Sequence, residues 1–123
     1  MESDRYLFTH LDDLIVQPED TSNMILHACK RGTPFRVQAL CQYDEELLVT
    51  LTQCAPDEVP DDVRWLDISE VSFRDLNALL LERWKAGYEP VGTVTSTRDY
   101  DPPKRFLLVQ RAEALAALKH KQP

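Results

Sequence analysis

The segment from Val71 to Arg111 is the feature that most constrains how this chain can fold. It begins as an amphipathic helix, in which Ser72 can cap the N-terminus and Gly87 can supply the left-handed position that ends the helix. Two β-rich stretches follow, joined by the polar loop 98–103. A helix, a glycine stop and a hairpin in this order form one packing unit, which predicts an α+β fold.

The helix predicted over about 72–86 carries one apolar stripe, which we expect to pack on a sheet. Val71 is placed to contact Leu76 across the first turn, and Asp75 stands three residues after the cap as a partner in a capping box. The predicted stripe consists of Phe73, Leu76, Leu80 and Trp84, widened by Leu79.

The two strands of the last hairpin differ in their patterns. Residues 91–97 are mostly β-branched and half polar, which is typical of a strand near a sheet edge. Residues 106–109 are apolar at every position, which indicates a strand buried on both faces. One helix covers only one of these faces. The other must meet the N-terminal helices, the Ala-rich segment 112–120 or another protein.

If a partner protein covers that second face, the contact residues lie on and beside the last strand. We expect Leu107 and Val109 to supply apolar contacts and Arg105 and Arg111 to lie at the rim. Tyr100 in the preceding loop is a further candidate, because tyrosine is enriched at the residues that dominate interface energies.

A second hairpin is predicted earlier in the chain, where apolar and polar residues alternate. Burial of both apolar sets on one face requires Val37 opposite Leu51 and Cys41 opposite Leu47, with an odd number of loop residues. This register places Cys41 inside the fold and Cys54 on the other face, so the two thiols do not pair.

The N-terminal third allows two interpretations. Apolar residues recur at helical spacing at Leu7, Leu11 and Leu14, whereas the run 6–9 favours a strand. A short helix is then predicted to end at Gly32. Residues 63–68 are a further candidate strand.

The net charge of −7 is unevenly distributed. Residues 1–84 contain 17 acidic and 7 basic side chains, whereas residues 85–123 contain 4 and 7. A negative field repels phosphate groups, so nucleic-acid binding is disfavoured. The acidic loop 57–62 is an alternative surface for a protein partner, as in an inhibitor whose carboxylates cover a basic site.

The expected compartment is the cytoplasm. The N-terminus lacks an export signal, and no apolar run is long enough for a membrane span. The three cysteines are odd in number and widely spaced, which argues against a disulfide framework and for a reducing environment.

The titratable residues provide few starting points for chemistry. His10 and Asp13 are three residues apart and would meet on a helix. His27 and Cys29 are close in sequence, but a spacing of two makes their side chains diverge on a helix. With only three glycines in the chain, none clustered, phosphate-binding loops are excluded. We therefore expect no metal, no cofactor and no catalytic centre.

The run from Leu76 to Arg111 resembles the end of small uncharacterised bacterial α+β domains. These finish with a helix, a Gly-aromatic-Glu step, a strand, and an apolar strand closed by arginine. Here the matching segments are 87–89, 91–97 and 106–111. Pro90 departs from the apolar residue usual after the glutamate. No activity is assigned to such domains as a class, so the resemblance implies only the fold class.

Together these observations predict one α+β domain over residues 1–123. We expect a mainly antiparallel sheet of four or five strands, with the 72–86 helix on one face and short flanking helices. The expected function is a non-catalytic, cytoplasmic interaction or assembly module that forms a homodimer or binds another protein. An acidic inhibitor, of the immunity-protein or antitoxin kind, and a small-molecule binder or enzyme are the alternatives.

Overall fold

The computed structural model of this chain describes residues 5–96 and 103–114. Within these ranges the chain forms three α-helices and six strands, which confirms the α+β class. The elements are β1 (Tyr6–His10), α1 (Leu11–Val16), α2 (Pro18–Lys30), β2 (Phe35–Tyr43), β3 (Glu46–Gln53), a 3₁₀ turn (Pro56–Glu58), β4 (Pro60–Asp67), α3 (Phe73–Lys85), β5 (Tyr88–Thr95) and β6 (Arg105–Ala112).

The strands form two separate antiparallel sheets of three strands each. The first sheet has the order β1-β3-β2, and the second has the order β4-β6-β5. The prediction of a single sheet of four or five strands is therefore wrong. The prediction of one main helix is wrong as well, because α2 and α3 both have 13 residues.

The two sheets meet at β2 and β5, where glutamine side chains make the hydrogen bonds that join them. Gln110 of β6 accepts a hydrogen bond from the backbone N–H of Val37 at 3.1 Å and donates to its C=O at 2.9 Å. In the same way Gln42 of β2 accepts from the N–H of Thr95 at 3.0 Å and donates to its C=O. Side-chain amides thus satisfy backbone groups that a strand ladder would otherwise pair.

The larger core lies between the two sheets and beneath α1 and α2. A smaller core lies on the other side of the second sheet, where α3 packs. Strand β6 contributes to both cores: Phe106 and Leu108 face the first, and Leu107 and Val109 face α3. Burial of β6 on both faces is thus confirmed. Its second face is covered within the chain by the N-terminal half.

Helix α3 begins and ends where its sequence predicts. The hydroxyl of Ser72 accepts a hydrogen bond from the N–H of Asp75 at 3.1 Å, and Gly87 has a φ of 94°. The predicted stripe is partly wrong, because Phe73 is 88% exposed and Trp84 is 39% exposed. The residues that pack on the sheet are Leu76, Leu79 and Leu80, a narrower face that lies further round the helix.

The first hairpin forms where it was predicted, but its loop has two residues, Asp44 and Glu45, instead of an odd number, and its register changes part-way along β2. Val37 lies opposite Leu51, whereas Cys41 lies opposite Leu48. A β-bulge between Val37 and Ala39 causes the change, because one extra residue turns every later side chain to the other face. The predicted burial of Cys41 is therefore wrong, and its side chain is exposed.

The N-terminal third contains both of the structures that its sequence allowed. A strand over the predicted β run is followed directly by helices α1 and α2. Pro18 occupies the first turn of α2, a position that needs no backbone N–H donor. Gly32 follows α2 with a φ of 74°. Among the described residues, no helix has the length and apolar character needed to cross a membrane.

Candidate functional site

The titratable residues selected from the sequence do not form a single site. His10 ends β1 and caps α1, where its Nδ1 accepts a hydrogen bond from the N–H of Asp12 at 3.2 Å. Carboxylate oxygens of Asp12 and Glu45 lie 3.7 and 3.6 Å from its ring nitrogens. The expected helical pair with Asp13 is absent, because His10 belongs to a strand.

His27 and Cys29 point in different directions from α2. His27 is exposed, whereas the Cys29 side chain is fully buried in the larger core. Burial, with a smaller contribution from Cys54, raises the pKa of the Cys29 thiol to about 12. The reactive thiolate form is therefore strongly disfavoured at neutral pH.

A metal centre is not apparent in the part of the chain that the structure describes. Within residues 5–96 and 103–114, no three His, Cys, Asp or Glu side chains converge in a way that would hold an ion. The three cysteines, all free thiols, lie in buried, half-buried and exposed environments.

The predicted interface on β6 is not an exposed surface. Leu107 and Val109 are 4% and 0% exposed beneath α3, so their side chains have no area left for a partner. Arg111 donates hydrogen bonds to the Asp61 carboxylate and to the C=O of Ala86. Arg105 is exposed at the start of β6. Tyr100 lies outside the described residues, as does most of the Ala-rich segment.

Part of the acidic loop 57–62 is also paired within the chain. Asp61 binds Arg111, and Asp62 accepts hydrogen bonds from Arg64 and from the Tyr88 hydroxyl. These pairs reduce the negative charge that this loop presents to a partner.

A cleft of about 440 Å³ lies between the first turns of α2 and strand β4. The indole N–H of Trp65, one of the lining residues, is buried and has no hydrogen-bond partner in the described part of the chain. The charged groups Asp62 and Arg64 pair with each other at 2.6 Å. The other lining residues are Pro18, Glu19, Ser22, Asn23, Val63 and Leu66. Because the exposed carboxylate of Glu19 also belongs to the lining, the charged groups of the cleft sum to a net negative charge.

The most distinctive surface is the outer side of the first sheet, which we call the open face. One side of this sheet is buried in the larger core through Leu47, Val49 and Leu51 of β3. The register places the alternate residues together on the other side. The open face consists of Tyr6, Phe8 and His10 on β1, Glu46, Leu48 and Thr50 on β3, and Ala39, Cys41 and Tyr43 on β2.

The open face is unusually aromatic for a surface in contact with water. Tyr6 is 48% exposed, Phe8 70% and Tyr43 76%. Phe8 stands beside Leu48, and Leu48 stands beside Cys41, so these residues form one row across the three strands. Large exposed apolar patches on a folded chain mark surfaces of interaction with other molecules.

Two features explain why sequence reasoning missed this surface. The alternation in residues 6–10 places Tyr6 and Phe8 on one face only if that segment is a strand, and a helix remained an alternative. The bulge at Gln38 then determines that Cys41 and Tyr43 join the same face. The first signal was present in the sequence, whereas the second depends on how β2 pairs with β3.

Comparison of the chain with protein-family models, curated proteins and solved structures finds no match. The resemblance of residues 76–111 to small bacterial domains therefore stays a prediction.

Proposed function

We propose that this chain is a non-catalytic assembly module that associates with a second copy of itself through the open face. The observation that carries the proposal is the exposure of Tyr6, Phe8 and Tyr43 on a sheet whose opposite side packs in the larger core. Self-association would remove these aromatic side chains from water, and burial of apolar area is the main driving force of protein association.

The area of the open face suits a dimer interface. Given side-chain areas of about 150–250 Å² each, the exposed parts of the three aromatic residues amount to about 400 Å². This is roughly half of the ~800 Å² that each partner contributes to a standard interface. Leu48, Cys41 and the neighbouring residues of the face are available for the remainder.

A reducing compartment such as the cytoplasm fits this proposal. The three cysteines are free thiols, and Cys41 is exposed on the open face itself. In an oxidising compartment an exposed thiol at this position would be open to unwanted disulfide exchange.

The alternatives have weaker support. An acidic inhibitor would use the carboxylates of loop 57–62, of which Asp61 and Asp62 are already paired. An enzyme would require converging reactive groups, and His10 and Cys29 are instead occupied in a helix cap and in the core. Both alternatives stay untested.

The test is the solution mass of the full chain, measured by light scattering over a wide range of protein concentration. We expect a dimer that persists at high salt, because apolar contacts respond little to ionic strength. Phe8→Ser should weaken it by about 2 kcal/mol or more, the loss typical of an interface hot spot. This corresponds to at least a roughly thirtyfold higher dissociation constant.

The matched control is Phe73→Ser on α3, which removes an aromatic side chain that is 88% exposed and distant from the open face. We expect this variant to dimerise like the wild type. A wild-type chain that stays monomeric at every concentration would overturn the proposal. So would a dimer that depends on Phe73 and not on Phe8.

A further inference from the structure

We infer that the outer edge of β4 binds an extended peptide, which adds to the second sheet as a further strand and carries a basic side chain opposite Glu19. The binding site is the cleft between this edge and the first turns of α2. This surface is distinct from the open face, and the inference does not depend on the proposed dimer.

Strand β4 lies at the edge of the second sheet, because the strand order is β4-β6-β5. In an antiparallel pair, successive residues direct their backbone N–H and C=O alternately toward the partner strand and away from it. The N–H of Ile68 donates to the C=O of Arg105 at 2.9 Å, and the register is continuous over 62–67. The even-numbered residues of this stretch therefore face β6, and the backbone groups of Val63 and Trp65 point away from it.

The pairing of β6 with β5 gives the same alternation. The N–H of Ser96 donates to the C=O of Lys104 at 2.7 Å, so the even-numbered residues of β6 face β5 and the odd-numbered ones face β4. Among the described residues, none makes a hydrogen bond to the outward backbone groups of Val63 and Trp65. Unpaired groups along a strand edge are a template for pairing with another chain.

The cleft exposes this edge over the length of a short peptide. One wall is formed by five consecutive residues of β4, 62–66, which face alternate sides of the sheet and therefore meet the cleft at the strand edge. They span about 14 Å at a rise of about 3.4 Å per residue, which suits four or five residues of an added strand. The volume of about 440 Å³ is typical of a ligand site.

The charge of the lining favours a basic ligand. The charged side chains are the carboxylates of Glu19 and Asp62 and the guanidinium of Arg64. Among the interactions that raise the pKa of Arg64, the hydrogen bond from Asp62 is the largest and the attraction of Glu19 is the smallest. The N-terminus of α2 adds only about half a positive charge, so the cleft remains negative.

This charge also distinguishes a peptide from a second copy of the chain. Two copies that paired through their β4 edges would bring two acidic linings together, whereas a lysine or arginine on a peptide complements the lining. Side chains of an added strand alternate between its two faces, so every second one would lie toward Glu19, Ser22 and Asn23 of α2. Backbone pairing would supply the affinity, and these alternate side chains the selectivity.

The probe for this cleft is a peptide selected from a random hexapeptide library displayed on phage, with the full chain as the target. We expect the enriched sequences to be β-branched and to contain lysine or arginine. The most enriched peptide is synthesised with both ends blocked, and its dissociation constant is measured by fluorescence anisotropy. A selection that enriches no binding peptide would overturn the inference.

Amide hydrogen exchange, measured residue by residue by NMR, locates the bound peptide. Saturating peptide should slow the exchange of the Val63 and Trp65 amides about tenfold or more, because each open amide gains a hydrogen bond. The amide of Arg64, which faces β6, should not change. A peptide that protects neither Val63 nor Trp65 would overturn the inference. So would exchange of these two amides that is already as slow as that of Arg64 in the peptide-free chain.

Methylated peptides test the strand geometry without altering the protein. N-methylation of the alternate peptide amides that face β4 should weaken binding about tenfold or more, because each removes a backbone hydrogen bond. N-methylation of the other alternate set should have little effect. Equal losses for the two sets would contradict addition of a strand.

The charge of the cleft is tested with a matched pair of variants in the first turn of α2. Glu19→Gln should weaken peptide binding about threefold at low salt, and the loss should shrink at high salt because exposed charges are screened. Asp20→Asn makes the same change of charge at an exposed neighbour outside the lining and should leave the affinity nearly unchanged. An affinity that depends on Asp20 and not on Glu19 would overturn the assigned basic ligand.

Discussion

The two sheets of this molecule have the same number of strands but differ in how many of their faces are covered. The second sheet is covered on both faces, by the larger core and by α3, and its central strand β6 is buried almost throughout. The first sheet is covered on one face, and its central strand β3 alternates between buried and half-buried residues. The proposed interface therefore lies on the sheet with the open face, whereas the second sheet has no comparable exposed face among the described residues.

The largest expected effect contrasts the two sheets directly. Leu108→Ala removes a side chain of β6 that is fully buried in the larger core, and should lower the free energy of unfolding by about 2–5 kcal/mol. The matched variant Leu48→Ala, at the centre of the open face, should cost less than about 1 kcal/mol in the monomer. Urea unfolding at low protein concentration measures both. Equal losses would mean that the open face is covered within the monomer.

A second contrast concerns the glutamine bridges between the sheets. Gln110→Leu would leave the buried N–H and C=O of Val37 without partners, at a cost of about 2–4 kcal/mol in the free energy of unfolding. Gln42→Leu removes the equivalent bonds to Thr95, where water can replace them, and should cost less than about 1.5 kcal/mol.

Thermal and urea unfolding of the two glutamine variants provide the comparison. If Gln42→Leu proved the more destabilising, the junction between the sheets would depend on its exposed end rather than on its buried end.

The smallest expected effect concerns two thiols, Cys29 in the larger core and Cys41 on the open face. Burial holds the pKa of Cys29 near 12 in the folded chain, whereas the unfolded chain releases this proton at an ordinary thiol pKa. Stability should therefore fall as the pH rises above that ordinary value, by at most about 1.4 kcal/mol per pH unit. Cys29→Ala should reduce this dependence, measured as urea midpoints at increasing pH.

The same comparison has a chemical readout at neutral pH. At protein concentrations low enough for the monomer, Cys41 on the open face should react at once with a thiol reagent, and Cys29 only after unfolding. Rapid labelling of Cys29 in the native protein would contradict the burial on which the contrast depends.

Features that depend on neighbouring residues were predictable from the sequence. The cap at Ser72 and the stop at Gly87 are local, because each is decided by one turn of backbone. The burial of β6 on both faces was predictable as well, since no position in residues 106–109 can face water without exposing a large apolar side chain. The first hairpin was correctly located, and Val37 was correctly paired with Leu51.

The errors concern contacts between distant segments. Phe73 has the right spacing for the buried stripe of α3 and is nevertheless exposed. The orientation of the helix on the sheet decides which residues of the stripe are buried. Cys41 was placed inside because its alternation gave no sign of the bulge. Leu107 and Val109 were predicted to face a partner because all strands were assigned to one sheet, whereas the structure has two sheets and α3 covers these two side chains.

The sequence by itself determined where α3 begins and ends, where the first hairpin lies, and which strand is buried on both sides. These properties follow from propensity, capping and apolar periodicity, all of which act over a few residues. Only the tertiary structure decided that the strands separate into two sheets and that Tyr6, Phe8 and Tyr43 share one open face. That outcome depends on the bulge in β2 and on the glutamine bridges, which join residues more than fifty positions apart. Long-range contacts of this kind leave no periodic signal in the chain.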